Sequence, residues 1–285
     1  MDVPTNSRNE GPEGWFGLSA IGERGRLRPL VRCPEAADWC GEVESIAWSP
    51  DGKRLALSVT SFARVNPYNG LHVIEVESGV DRLVRRGGAE TEYGWFDLAW
   101  SPDGSQLAYV TRGRIYLMNA DGTDRRLLPT RTRGRDASPT WSPNGRLIAF
   151  ANKPDPSSAW AVRAVDVHGS HGRLLVEGGW GPAWSPRGTI AYRTGCGIRL
   201  LGTPTRGDLT TSPLLGCLPG PPFMPSRTRL GPPAWSPDGM KIAFSAHPHG
   251  TYVMNADGTG LTRVARQTIA VHFGQQARPA WRPVP

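Results

Sequence analysis

Lysine is nearly absent from this chain: it occurs only at 53, 153 and 241, so the formal net charge of +8 rests on arginine. No apolar run approaches the roughly 18 residues that a membrane-spanning helix requires, so no membrane span is expected. The start, Met1-Asp2-Val3, is acidic and polar where a secretory leader is basic and then apolar. A Gly-x-Ser-x-Gly elbow is missing, which leaves serine hydrolase chemistry without support. Missing too is any nucleic-acid reading motif, although Arg125, Arg126, Arg131, Arg133 and Arg135 form a dense basic stretch. Nucleic acid is therefore not an expected partner, while a basic surface favours anionic ligands.

What the chain has in abundance is repetition. Trp-Ser-Pro-x-Gly recurs at Trp48, Trp100, Trp141, Trp184 and Trp235, and a curtailed copy stands at Trp281-Arg282-Pro283. Units of about 41 to 52 residues rich in short alternating segments are the signature of a radial array of small sheets. The second unit shows it plainly: Leu98-Ala99-Trp100, Gln106 to Val110, Ile115 to Met118 and Arg126 to Leu128 read as four strands joined by three turns. In the first turn Pro presets one dihedral, Asp bonds its own backbone, and Gly accepts the left-handed conformation. Asn144 and Arg187 at the Asp position suit a turn and would not suit a catalytic carboxylate. The repeated Trp reads as a packing residue filling the wedge between twisted sheets.

Ala-Trp-Ser-Pro-Asp-Gly followed by Ile-Ala-Phe and Tyr-Val-Met-Asn-Ala-Asp-Gly-Thr, complete between Ala234 and Thr259, resembles the repeat of TolB-type β-propellers. The resemblance implies an all-β, six-bladed propeller of four-stranded antiparallel blades, with residues 1–285 as one domain and 1–13 as an irregular N-terminal segment. It also implies a non-enzymatic scaffold that engages partner proteins, in association with the periplasm or cell envelope. Trp15 to Ile21 and Arg26 to Val31 read as the last two strands of a blade whose innermost strand comes from Arg278 to Arg282. The ring is thus expected to close by pairing its two termini, which removes an exposed edge. One strand of that blade is unaccounted for, so either the blade has three strands or the chain starts downstream of its natural beginning.

The four cysteines fall in two pairs. Cys33 and Cys40 share one loop, and Cys196 and Cys217 stand opposite one another on neighbouring antiparallel strands of the fourth unit. Two disulfides are expected, with buried thiols as the alternative. Disulfides point to an oxidising compartment, so a periplasmic or extracellular location is expected, with the cytoplasm as alternative and a trimmed or misassigned start reconciling it with the missing leader.

The loops are long on the face where a propeller's channel opens and minimal on the other, so local function is expected on the long-loop face. Glu44, Trp95, Asp97, Asp136, Trp180 and Arg278 are the candidate binding residues there, a mixed acidic, basic and aromatic rim suited to a peptide or polar ligand. His247, His249 and His272, in adjacent loops, are the candidate ligands of a divalent metal. Two function classes follow. One is a monomeric binding scaffold with no cofactor and a protein or peptide partner. The other is a metal-assisted lyase or hydrolase acting on an anionic carbohydrate, with Arg227, Arg229 or Arg278 holding carboxylates.

Overall fold

The computed structural model describes residues 3–6, 17–21, 27–32, 42–60, 69–87, 97–170, 172–195, 197–202, 211–215, 229–247, 249–265 and 278–283. A three-stranded sheet comes first, from β1 (Val3–Asn6), β2 (Gly17–Ile21) and β3 (Leu27–Arg32). The first four-stranded blade follows as β4 (Glu42–Trp48), β5 (Arg54–Thr60), β6 (Gly70–Glu75) and β7 (Asp81–Arg86). The second is β8 (Leu98–Trp100), β9 (Gln106–Thr111), β10 (Arg114–Asn119) and β11 (Arg126–Leu127). The third is β12 (Arg135–Trp141), β13 (Leu147–Lys153), β14 (Ala161–Asp166) and β15 (Arg173–Glu177). The fourth is β16 (Trp180–Trp184), β17 (Ile190–Arg193), β18 (Ile198–Leu201) and β19 (Thr211–Leu215). In the fifth, two short pieces, β20 (Arg229–Leu230) and β21 (Ala234–Trp235), together pair with β22 (Lys241–His247), which leads to β23 (Gly250–Asn255) and β24 (Thr262–Ala265).

The propeller is therefore five-bladed among the described residues, and the expected six four-stranded blades are not found. Nor, among the described residues, is any sheet closed by strands from both termini. The N-terminal sheet takes its extra strand from Val3–Asn6, inside the segment expected to be irregular, and among the described residues its strands pair with none of the five blades. Residues 278–283 form no strand. A short, proline-containing segment has too few backbone donors to build a ladder, so it is held by side chains instead.

Four of the five full motif turns are built the same way, and the fourth, with Arg187 at the Asp position, instead donates the Arg187 N–H to Ser185 Oγ. In the first blade the Ser49 hydroxyl donates to Asp51 Oδ1 at 2.5 Å, Asp51 Oδ1 accepts the Lys53 N–H at 3.0 Å, and Ser49 Oγ accepts the Arg54 N–H at 2.8 Å. Gly52 reverses the chain at φ 67° and donates its N–H to the Ser49 carbonyl. Ser101–Gln106, Ser142–Leu147 and Ser236–Lys241 repeat the arrangement.

The repeated Trp does more than fill space. Trp100 Nε1 donates to the Ala47 carbonyl at 2.9 Å, Trp141 to Ala99 at 3.2 Å, Trp235 to Ala183 at 3.0 Å and Trp281 to Ala234 at 3.0 Å. Each indole thus bolts its unit to the carbonyl just before the Trp of the preceding unit. Trp184 is the exception, turning its N–H to the Gly188 carbonyl of its own turn. Around these bolts the strands bury alternating apolar faces, with Leu107, Tyr109 and Met118 packed on Trp100, and Ile148, Phe150 and Val165 packed with Trp141.

The C-terminal segment completes the circle by contact. Trp281 is bolted to the fifth blade, Ala280 packs in the core of the first with Ile46, Trp48 and Leu55, and Arg282 lies over the Trp48 ring at 5.1 Å. The buried Trp48 N–H has no acceptor among the described residues, so this junction carries one fewer bolt. Removing a hydrogen bond and stranding a buried carbonyl costs about 1–3 kcal/mol. Trp100→Phe should therefore lower the unfolding free energy in urea by about 1 kcal/mol more than Trp48→Phe; equal losses would show that the indole hydrogen bond contributes nothing.

Candidate functional site

The first strands of successive blades carry the channel mouth at the end opposite the motif turn. In three of them the first strand carries one extra residue ahead of the motif Trp: between Val43 and Ser45, Ala137 and Thr140, and Trp180 and Ala183. Such bulges re-aim side chains and backbone N–H groups out of the sheet. Ser138 and Gly181, each three residues before its Trp, are left-handed at φ 51° and 62°. For Ser138 that conformation costs on the order of 1 kcal/mol unless the surroundings support it.

The support comes from the neighbouring blade. Asp97, the corresponding residue of the second blade, accepts the Ser138 N–H at 2.7 Å and its hydroxyl at 3.1 Å, both on Oδ2. Ser45 Oγ accepts the Leu98 N–H and Thr140 Oγ1 accepts the Trp184 N–H, so polar side chains at the mouth also tie adjacent inner strands together. Arg278 reaches the Pro182 carbonyl through Nη2 at 2.6 Å, joining the C-terminal segment to the fourth blade. Burial pushes the Arg278 guanidinium down from the usual arginine value, and the negative charge of Asp97 acts against that shift. No ion pair within 4 Å joins Asp97 and Arg278 among the described residues, yet the Asp97 charge acts on the Arg278 guanidinium. Such a pair of opposed charges can bind a peptide terminus or another polar group.

Asp136 has a different part. Its carboxylate is buried and engaged on every side: Oδ2 accepts from Thr130 Oγ1 at 2.7 Å, and Oδ1 accepts from Thr132 Oγ1 at 2.7 Å and Asn152 Nδ2 at 2.9 Å. These bonds fasten the 128–134 connection to the third blade, with the Arg114 guanidinium 3.8 Å away. Burial raises the Asp136 carboxyl above its ordinary 3.8, against the lowering effect of the threonine and asparagine donors.

Trp180 belongs to an aromatic group beside the mouth. It meets Trp160 edge-on, with centroids 6.3 Å apart at 61°, and Arg193 lies over its ring at 4.9 Å while donating to the Leu230 carbonyl. Both indoles are half-buried. Trp160 and Arg193 were not singled out in the sequence, although Trp160 ends one of the long loops on this face. Glu44 lies half-buried on β4 next to Ser45.

The three-histidine group is only partly described. His247 is exposed at the end of β22 and His249 is half-buried in the following turn, where its N–H donates to the Ala246 carbonyl. His272 and Trp95 lie outside the described residues, as do Arg227, Cys33, Cys40, Cys196 and Cys217 with both expected disulfides. Among the described residues no group of three His, Cys, Asp or Glu side chains is placed to hold a metal ion, and no helix is long and apolar enough to cross a membrane.

The raised Asp136 pKa sets a sign. Between 3.8 and its folded value the folded chain holds more proton at this site than the unfolded chain, so this residue's contribution to stability falls as pH rises. Urea unfolding of the protein and of Asp136→Asn from about pH 4 to 7 should show wild type losing its advantage over the variant as pH increases; a difference that grows with pH would mean that the carboxylate is better stabilised folded than unfolded.

The comparisons agree with this architecture. An uncharacterised protein of Agrobacterium fabrum, Atu1656, is 28% identical over 212 residues, covering 69% of this chain and 67% of that protein. The uncharacterised peptidase YuxL of Bacillus subtilis is 26% identical over 73% of this chain, but the match spans only 31% of the peptidase. The Tol-Pal system protein TolB of Gluconobacter oxydans is 33% identical over 31% of this chain and 21% of its own length. Among solved structures, TolB from Acinetobacter baumannii superposes with a TM-score of 0.68 at 16% identity, covering 94% of this chain and 63% of that one, a likeness of fold. The model of the TolB beta propeller domain matches residues 33–197, more than half of the chain. With its blades, motif turns and interlocking tryptophans arranged as such a propeller requires, this protein belongs to the TolB beta propeller domain family.

Proposed function

We propose that this propeller is a binding scaffold whose channel-mouth face takes a protein or peptide partner, with 1–285 acting as one domain, as a monomer, in the periplasm or cell envelope. The observation that supports the reading most directly is the opposed pair Asp97 and Arg278, held at the mouth by hydrogen bonds between blades and left more than 4 Å apart. Beside them the half-exposed Trp160 and Trp180 supply apolar area of the kind that carries binding energy at interfaces. The likeness to relatives named as Tol-Pal system proteins supports this compartment. Because the chain spans only a fifth to a third of the longer relatives, their whole activities are not transferred to it. On this reading Asp97 and Arg278 recognise polar backbone or terminal groups of the partner, and the tryptophans take an apolar side chain.

The test uses the protein as bait in a periplasmic extract, with Trp160→Ala and Arg278→Lys as variants and Asp257→Ala, on the motif-turn face away from the mouth, as control. A partner retained by wild type and control should be lost or weakened at least about tenfold by both mouth variants, the size expected for a central interface residue. Identical capture by all four proteins would overturn the assignment of this face.

A further inference from the structure

The face of the motif turns carries its own repeated contact, at the other end of the inner strands from the channel mouth. Arg54 lies over the Trp100 ring, 4.7 Å from its centroid, and Nη2 donates to the Gly104 carbonyl at 2.9 Å. Arg282 repeats this at the junction of the termini, lying over Trp48 at 5.1 Å with Nε donating to the Gly52 carbonyl at 3.4 Å. Arg187 donates from Nε to the Asp238 carbonyl at 2.8 Å, and its stem lies against Gly239. These arginines start from three different places: the strand after the turn, the turn itself, and the residue after the Trp. They converge on one destination, the groove between one unit and the motif turn of the next. All three donate to a turn carbonyl, and two, Arg54 and Arg282, also lie over an indole, so the groove itself favours a flat cation: a turn carbonyl for its N–H and, where an indole is within reach, an aromatic face.

The groove between the second and third blades lacks this plug. Gln106 is the counterpart of Arg54: each precedes the leucine paired with its motif Trp, and each donates its backbone N–H to the motif serine. Its shorter side chain leaves the Gly145 carbonyl without a donor among the described residues. A Cβ on Gly104 would meet Arg54 Nη2 at 3.2 Å, whereas one on Gly145 would meet only Pro102, at 3.5 Å. A cavity of about 410 Å³ opens here, lined by Ser101, Asp103, Gln106, Trp141, Asn144 and Gly145 among others. Between the third and fourth blades the question does not arise, because the Gly188 carbonyl is taken by the Trp184 indole.

We propose that this cavity binds an arginine side chain presented by a peptide or protein partner, with the guanidinium over Trp141 and donating to the Gly145 carbonyl and the Asp103 carboxylate. Hydrogen bonds from Ser101 and Ser105 hold the Asp103 carboxyl below the usual carboxylate range, so it is ionised at neutral pH and supplies the counter-charge. The intramolecular arginines pin neighbouring blades; the unplugged groove offers the same recognition to an outside chain. An alkylammonium lacks the planar fork that stacks and donates at once, so lysine is the discriminating competitor.

The test is an amide and indole NMR titration with N-acetyl-L-arginine N′-methylamide and its lysine counterpart. Saturable shifts are expected at the Gly145 amide and Trp141 indole with the arginine probe, and weaker ones with lysine. Gln106→Arg should abolish them and raise Tm by filling the groove from within. Arg54→Gln should open the equivalent groove and add a second set of shifts at Gly104 and Trp100. No saturable shift in wild type, an unchanged response in Gln106→Arg, or equal response to lysine would each overturn the proposal. None of these results depends on the channel mouth.

Discussion

Everything in this molecule depends on a hydrogen bond that crosses from one blade to the next. The motif Trp donates its indole N–H to the carbonyl preceding the Trp of the previous unit, and it does so at four junctions. A propeller blade cannot bury its faces alone, so stability lies in the junctions. Apolar packing there is non-directional and would tolerate sliding. The indole bond fixes register, because a single donor must meet a single carbonyl. The C-terminal Trp281 extends the chain of bolts without belonging to a sheet.

The same device serves the channel mouth. Where β12 slips register, the Ser138 N–H leaves the ladder and must find an acceptor, which Asp97 of the adjacent blade supplies; Ser45 and Thr140 likewise accept the Leu98 and Trp184 N–H groups of the next blade. Polar residues at the mouth therefore have two tasks. Asp136 shows one extreme: its oxygens are used entirely by Thr130, Thr132 and Asn152, which makes it an internal fastener. Asp97 lies between, bonded through one oxygen while its charge still acts on Arg278.

Arginine plays a parallel role on the other face. A guanidinium can lie flat on an indole and donate in its own plane, which suits a groove with an aromatic wall and a carbonyl rim. The richness in arginine and the scarcity of lysine thus acquire a structural meaning at Arg54, Arg187 and Arg282. These contacts are long in sequence, the last joining Arg282 to Gly52 across the junction of the termini.

The sequence by itself determined the repeat, the all-β blades and the motif turns, since Pro, Asp and Gly at fixed spacing act through bonds only a few residues long. It also marked the Trp as the packing residue between blades. The number of complete blades was decided by tertiary structure: the motif at Trp281 counts as a repeat in sequence, yet 278–283 makes no ladder and joins the ring through Trp281, Ala280 and Arg282. Likewise Asp97 and Asp136 look alike in sequence, and only the placement of Thr130, Thr132 and Asn152 separates a buried fastener from a charge at the mouth. Turn chemistry is local and legible residue by residue, whereas pairing and burial depend on which distant chain segment arrives beside a group.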